Sequence, residues 1–223
     1  MKRIVTLIGD YYHPRERIQA SLIRVLALLN EENERFEYVE IEPSQLKKEL
    51  ESQPDAVILF KEDRLNPNDE KVDTWMTEEM GEAIAQYVEQ GGGWLAWHSG
   101  LASYSIEGSY TEMLKGYFEY HPAPHPQVKY TDVQRIDAFG PVSFEIRDEH
   151  YFVKVKEEET NIFLKSVSEE GNSIAGWFHH YGAGRVCCLT PAHNEEGLIN
   201  EEFTLLLAKT VEWVSLKKIN ALN

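Results

Sequence analysis

The chain has 223 residues, 42% of them hydrophobic, and carries 22 Lys and Arg against 38 Asp and Glu, a formal net charge of −16. That length suits one α/β domain, residues 1–223, with a core large enough to need neither disulfides nor a structural metal. Lacking a clustered run of Lys and Arg, so acidic a chain excludes nucleic acid as a partner and disfavours docking on an anionic membrane.

The apolar run at residues 4–8 follows Met1-Lys2-Arg3 and is ended by Gly9-Asp10. It is too short for a secretory h-region, which needs ~7–15 residues, and no other stretch approaches the ~18–20 that span a bilayer. We therefore expect a buried first strand in a soluble cytoplasmic protein. Ile18, Leu22, Ile23, Leu26 and Leu29 then recur at helical spacing. The same β–α step returns as a strand at 35–41, a helix at 43–52 opened by Pro43, a strand at 55–60, and a helix at 77–89 ended by Gly91-Gly92-Gly93. A further strand covers 93–97. Alternation of this kind predicts a mostly parallel central sheet with helices on both faces and right-handed crossovers.

Residues 61–73 are polar and charged and read as a surface loop, a plain solvated linker in the preferred reading and a cover over the sheet's carboxyl edge in the other. A short helix is expected over 110–120, and prolines hold the segment from His121 to Pro126 extended. Strands follow at 127–136, 144–146, 162–166, 173–181 and 185–189, and a helix closes the chain from about 201 to 216. Cys187 and Cys188 are neighbours in a strand, where successive side chains point to opposite faces. They read as buried free thiols of a reducing compartment.

Ligands of open α/β sheets bind beyond the carboxyl ends of the strands, and those ends are rich in histidine: His13 after the first strand, His98 after the 93–97 strand, His193 after the 185–189 strand. Ser99 stands at a strand-to-turn junction where α/β enzymes present a nucleophile, yet the usual Gly-x-Ser-x-Gly frame is absent. Tyr11, Tyr12, Trp97, Tyr104 and Tyr151 lie near these residues in sequence and offer faces for the C–H surface of a sugar. Asp148 also reads as a helix N-cap in an acidic turn.

The run Gly91-Gly-Gly-Trp-Leu-Ala-Trp-His98-Ser99-Gly100 resembles the corresponding segment of ThuA-like (trehalose utilisation) proteins. Asp148-Glu149-His150-Tyr151 is similar to that family's Asp-Glu-x-Tyr segment. Trp177-Phe-His-His-Tyr-Gly-Ala-Gly-Arg-Val186 with His193 is similar to its ending, and Gly9-Asp-Tyr-Tyr-His13 also fits. The resemblance spans nearly the whole chain. It implies the class I glutamine amidotransferase-like superfamily and its flavodoxin-like three-layer sandwich. In that superfamily a cysteine occupies the elbow, and here His98 stands in its place, so glutaminase chemistry through a thioester is excluded. His193-Asn-Glu195 keeps the superfamily's His-x-Glu spacing.

Two chemistries are open to such a site. His98 and His193, with Ser99, Glu149 or Glu195, would serve as catalytic acid/base groups on a sugar hydroxyl or a carbon next to a carbonyl. Alternatively, two or three of His13, His98, His121, His125 and His193 with a carboxylate would hold a divalent metal, zinc being the default for neutral imidazoles, in a hydrolase or lyase. A non-catalytic sugar-binding module is the third reading. The expected partner is a small-molecule carbohydrate, and a homo-oligomer is compatible with the sequence.

Overall fold

The computed structural model describes residues 1–31, 35–123, 125–133 and 136–216. Along the chain run β1 (Lys2–Ile8), α1 (Arg15–Glu31), β2 (Phe36–Glu40), α2 (Leu46–Glu51), β3 (Ala56–Phe60), α3 (Glu78–Glu89) and β4 (Gly93–Trp97). Then come α4 (Ser109–Leu114), β5 (Gly116–Tyr120), β6 (Gln127–Asp132), β7 (Ser143–Arg147), β8 (Phe152–Val155), β9 (Asn161–Ser168), β10 (Gly171–Tyr181), β11 (Gly184–Leu189), α5 (Glu195–Leu198) and α6 (Glu201–Val214).

Among the described residues, nine strands form one sheet in the order β2-β1-β3-β4-β11-β10-β9-β6-β7. The run from β2 to β11 is parallel. From β11 through β7 the pairing is antiparallel. In β1, β3, β4 and β11 almost every residue is buried, so these strands read as continuous apolar runs, whereas the edge strand β2 buries only Phe36. Alternate residues enter opposite layers. Ile58, Phe60, Leu95, Trp97, Cys187 and Leu189 pack with Leu22 of α1 and Phe203 of α6. Val57, Leu59, Trp94, Ala96, Val186 and Cys188 pack with Leu50 of α2, Ile84 of α3 and Met113 of α4. The result is the expected α/β, flavodoxin-like sandwich, with an antiparallel wing added to its parallel sheet. Cys187 and Cys188 are free and buried on opposite faces.

Several expectations need correction. The helix expected over 110–120 stops at Leu114, because Lys115 takes a left-handed conformation (φ 59°) and caps it. Tyr117 to Tyr120 continue as β5, paired antiparallel with β8, which the sequence reading left out. Asp148 caps no helix: it is fully buried, and its Oδ1 accepts the backbone N–H of His193 at 2.7 Å. The strand expected at 127–136 ends at Asp132, and residues 134 and 135 lie outside the described residues.

The 61–73 segment is not a free linker. Glu62 and Asp63 are buried, at 2% and 5% exposure. Lys61 Nζ donates to the Gly9 carbonyl at 2.7 Å, the Glu62 N–H to Asp10 Oδ2 at 3.1 Å, and Trp75 Nε1 to the Glu62 carbonyl at 3.0 Å. These bonds lay the segment over the carboxyl edge of β1 and β3.

At the end of β4 the chain makes a tight turn through His98, Ser99 and Gly100. A Cβ at Gly100 would overlap the carbonyl oxygen of Leu59 in β3, so only glycine lets the turn close against the sheet. Gly100→Ala is expected to lower stability by about 1–3 kcal/mol or more through this backbone overlap, read as a lower urea midpoint. An unchanged midpoint would show that the turn is free to shift.

Candidate metal centre and active site

His98 occupies the elbow in a left-handed conformation, φ 47°, that L side chains seldom adopt. It is fully buried, and its ring is held by Nδ1 against the carbonyl of Thr190 at 2.6 Å, just beyond β11. A carbonyl only accepts, so Nδ1 carries the proton and Nε2 presents a lone pair. That nitrogen has no hydrogen-bond partner of good geometry, and it faces Glu149 Oε2 at 3.4 Å. Two acceptors aimed at one another call for a cation between them.

His13 is prepared in the same way. Asp10 Oδ1 lies 2.6 Å from His13 Nδ1 and also accepts the backbone N–H groups of Tyr12 and His13 at 3.0 and 3.1 Å. Burial would raise the Asp10 carboxyl, but the hydrogen bond and charge of His13 outweigh it and bring it to about 2. An ionised carboxylate fixes His13 with its proton on Nδ1, which turns the Nε2 lone pair toward His193 Nδ1, 2.9 Å away. His193 Nδ1 is in turn 3.2 Å from Glu149 Oε2.

His13, His98, His193 and Glu149 thus offer four ligand atoms within 4.8 Å of one another. Bonds of ~2.0–2.1 Å to a tetrahedral zinc ion would place ligand atoms roughly 3.3 Å apart, and the separations of 2.9, 3.2 and 3.4 Å bracket that value. Three neutral imidazoles and one carboxylate, two of the rings oriented by Asp10 and the Thr190 carbonyl, form a donor set that fits a divalent ion.

The electrostatics follow from this packing. Burial pulls His98 down to about 4, against the attraction of Glu149. Burial would raise Glu149, but the bond from His193 outweighs it and holds the carboxyl well below the usual range. His193 is raised because its bond and charge pairing with Glu149 exceed the opposing effect of burial. Asp148, pushed up to about 7 by burial, anchors the backbone of His193 and accepts the Tyr130 hydroxyl at 3.1 Å.

His121 and His125 converge without a helix. The proline-bordered loop brings each Nε2 to 3.6 Å from the other oxygen of Glu149, with both side chains about one-third exposed. His121 Nδ1 lies 2.9 Å from the Pro122 carbonyl, which leaves its Nε2 lone pair free, whereas His125 Nδ1 faces Asn194 Nδ2 at 3.0 Å. Four of the five expected histidines therefore surround one carboxylate, His98 and His193 on one oxygen and His121 and His125 on the other, and His13 joins the tight cluster through His193. Over the cluster lies a cavity of about 280 Å³ lined by His13, His121, Glu149, Tyr12, Phe118 and Tyr151, among others.

The sequence profile of the family described as trehalose utilisation matches residues 4–214. The chain belongs to the ThuA family. A ThuA-like protein from Parabacteroides merdae superposes with a TM-score of 0.73 at 15% identity, over 99% of this chain and 92% of that one. One from Bacteroides uniformis gives 0.68 at 18% identity, over 96% and 91%. A β-galactosidase from Rahnella sp. R3 shares the fold over 97% of this chain but only 32% of its own, at 13% identity and a TM-score of 0.62. At these identities the likeness shows the fold alone. A search of curated protein sequences finds no match.

Two expected site residues are not joined to this ThuA cluster. Glu195 is exposed in the first turn of α5, because Asn194 starts that helix and directs the chain away; Glu149 supplies the carboxylate instead. Ser99 is buried beside Asp10, and its Oγ makes no hydrogen bond of good geometry to an imidazole, so there is no Ser–His pair. Of the aromatic residues, Tyr12 and Tyr151 line the cavity, while Trp97 is core and Tyr11 is exposed. The sequence reading missed Asp10, whose signal was an aspartate three residues before His13, and Glu62 and Arg64 of the presumed linker.

Buried neutral histidines also set the acid limit of the fold. Burial lowers His98, His150 and His179 to about 4 and lowers His125. Between pH 6.5 and 4 the unfolded chain binds protons that these groups refuse in the native state, while Asp148, protonated below about 7 when folded, and the raised His193 at the upper end of the window work in the opposite sense. Unfolding therefore takes up protons on balance, and stability falls as pH falls through this window, by about 1.4 kcal/mol per pH unit for each net proton. The urea midpoint of metal-stripped protein is expected to be lower at pH 5 than at pH 7. A midpoint that rises toward pH 5 would contradict this balance.

Proposed function

We propose that this ThuA-family chain is a cytoplasmic, metal-dependent enzyme of carbohydrate utilisation that moves a proton at a sugar hydroxyl or at a carbon next to a sugar carbonyl. The observation that carries the reading is the convergence of three imidazoles and Glu149 on one point, with the His98 lone pair buried and facing a carboxylate oxygen. A divalent ion, zinc by its ligand chemistry, would polarise a carbonyl or hydroxyl oxygen there. The cavity gives a small molecule access to the edge of the cluster at His13 and Glu149.

Proton transfer then falls to the outer histidines. His98 is fully buried and cannot touch a substrate, whereas His121 lines the cavity and has a free Nε2 lone pair beside Glu149 Oε1. His121 is the general base in this reading, and Glu149, between both groups of histidines, aligns it with the reacting carbon. The carbohydrate assignment rests on the family, and the cytoplasmic one on the two reduced, buried cysteines of β11.

A second reading keeps the same residues without metal. The short His193–Glu149 contact and the raised His193 favour proton transfer by that pair alone.

Metal content separates the two. Protein purified without a histidine tag and offered zinc is expected to hold about one ion per chain by elemental mass spectrometry, and Glu149→Gln to lose it. Asp10→Asn, which removes the partner of His13, is expected to weaken zinc binding about 10–100-fold. His121→Ala is expected to retain the ion while losing turnover. Wild-type protein that holds no metal even after loading would leave only the metal-free reading.

A further inference from the structure

The cavity above the cluster has a second chemical feature in its wall, in the segment that follows β3. Glu62 lines the cavity with its side chain only 3% exposed. Its Oε2 receives three donors, Arg64 Nε at 2.8 Å, Arg64 Nη2 at 2.7 Å and Ser103 Oγ at 2.9 Å. Its Oε1 is buried and receives none. A carboxylate crowded with donors on one oxygen and bare on the other is unbalanced, because a buried acceptor left without a donor costs free energy that a ligand hydroxyl would restore.

Arg64 adds the complementary group. Its Nε and Nη2 are used on Glu62, while Nη1 has no protein acceptor among the described residues, and the guanidinium sits 6.0 Å from the Tyr12 ring at the cavity rim. Phe118 and Tyr151, with ring centroids 4.3 Å apart, supply apolar faces in the same cavity. An acceptor, a donor and aromatic faces within one small pocket match the surface of a sugar ring, whose adjacent hydroxyls both donate and accept and whose C–H face is apolar.

The charge of the pocket narrows the class further. Arg64 is already neutralised by Glu62, and Asp10 and Glu149 stand nearby, so among the described residues no side chain of the wall offers an uncompensated cation to a phosphate. The volume of about 280 Å³ lies at the small end of ligand pockets, room for one ring rather than two.

We infer that Glu62 and Arg64 form the specificity subsite of this centre, recognising adjacent hydroxyls of one neutral, unphosphorylated sugar ring whose anomeric carbon, the masked carbonyl, faces the histidine cluster. The inference rests on the proposed function for the direction of the anomeric carbon, but the subsite contains none of the proposed metal ligands.

The test is a calorimetric or saturation-transfer titration of zinc-loaded protein with D-fructose, a neutral keto-sugar, and with fructose 6-phosphate, metal content being measured on the same samples. Fructose is expected to bind more tightly than its phosphate. Glu62→Gln and Arg64→Met are each expected to weaken fructose binding about tenfold or more, with metal content unchanged. Arg64 is 38% exposed, so Arg64→Met keeps the test intact should the buried Glu62 variant fold poorly. Unchanged fructose affinity in Arg64→Met, tighter binding of the phosphate, or no fructose binding by wild type would each overturn the subsite. If the protein takes up no zinc, the proposed function fails separately, and the same titration on metal-free protein still reads Glu62 and Arg64.

Discussion

A carboxylate buried as Glu149 is keeps its charge only where donors or positive charge surround it, since removal from water favours the neutral acid. Four histidines meet that demand, two on each carboxylate oxygen, at separations of 3.2–3.6 Å. Protonation of all four rings would place like charges side by side in a partly dry site. Burial already forbids it at His98 and opposes it at His125. A cation bound by neutral rings would resolve the conflict, because it would neutralise the carboxylate and use the lone pairs that protonation would otherwise have to fill. The loops that reach this point are held by buried acids that serve the same end, Asp10 orienting His13 and Asp148 anchoring the backbone of His193.

The sheet makes the convergence possible. β1, β4 and β11 lie within four neighbouring positions of the sheet order and run parallel, so the residues just beyond their carboxyl ends emerge on one edge. The centre draws His13, His98 and His193 from those three ends. The antiparallel wing and the β5–β8 pair then deliver the remaining parts, because the connections bordering β5, β6, β7 and β8 carry His121, His125 and Glu149 to the same edge. The added wing is therefore part of the site and not an ornament on a flavodoxin-like core.

Much of this was legible in the sequence, and the limits have physical causes. Strand ends rich in histidine identified His13, His98 and His193, since a period-two apolar run fixes both the strand and the edge at which it stops. Glu149 was legible through the resemblance of Asp148-Glu149-His150-Tyr151 to a family segment. The partners of these residues were not. Glu62 and Arg64 sit in a polar stretch whose composition matches a solvated linker, and only the tertiary bonds of Lys61, Glu62 and Trp75 bury it. Glu195 misled because spacing along a chain does not say where a helix begins: Asn194 starts α5 and turns the expected acid outward. The helix expected over 110–120 failed for a similar local reason, the left-handed Lys115, which no periodicity reveals.

The elbow uses a backbone device that α/β enzymes also use for covalent chemistry. A nucleophile elbow spends backbone strain to lift one side chain above the sheet beside free N–H groups. Here that position is filled by an imidazole at φ 47°, its far nitrogen tied to the Thr190 carbonyl and its near nitrogen left bare. A thiolate in this place would stand against Glu149, which repels an anionic nucleophile. A neutral histidine does not suffer that repulsion and turns the same strained projection to a new use, presenting a lone pair at a fixed point. The buried acid opposite His98 thus suits an imidazole at the elbow and not a thiolate, and the strain held there is what places the imidazole nitrogen within reach of its three companions.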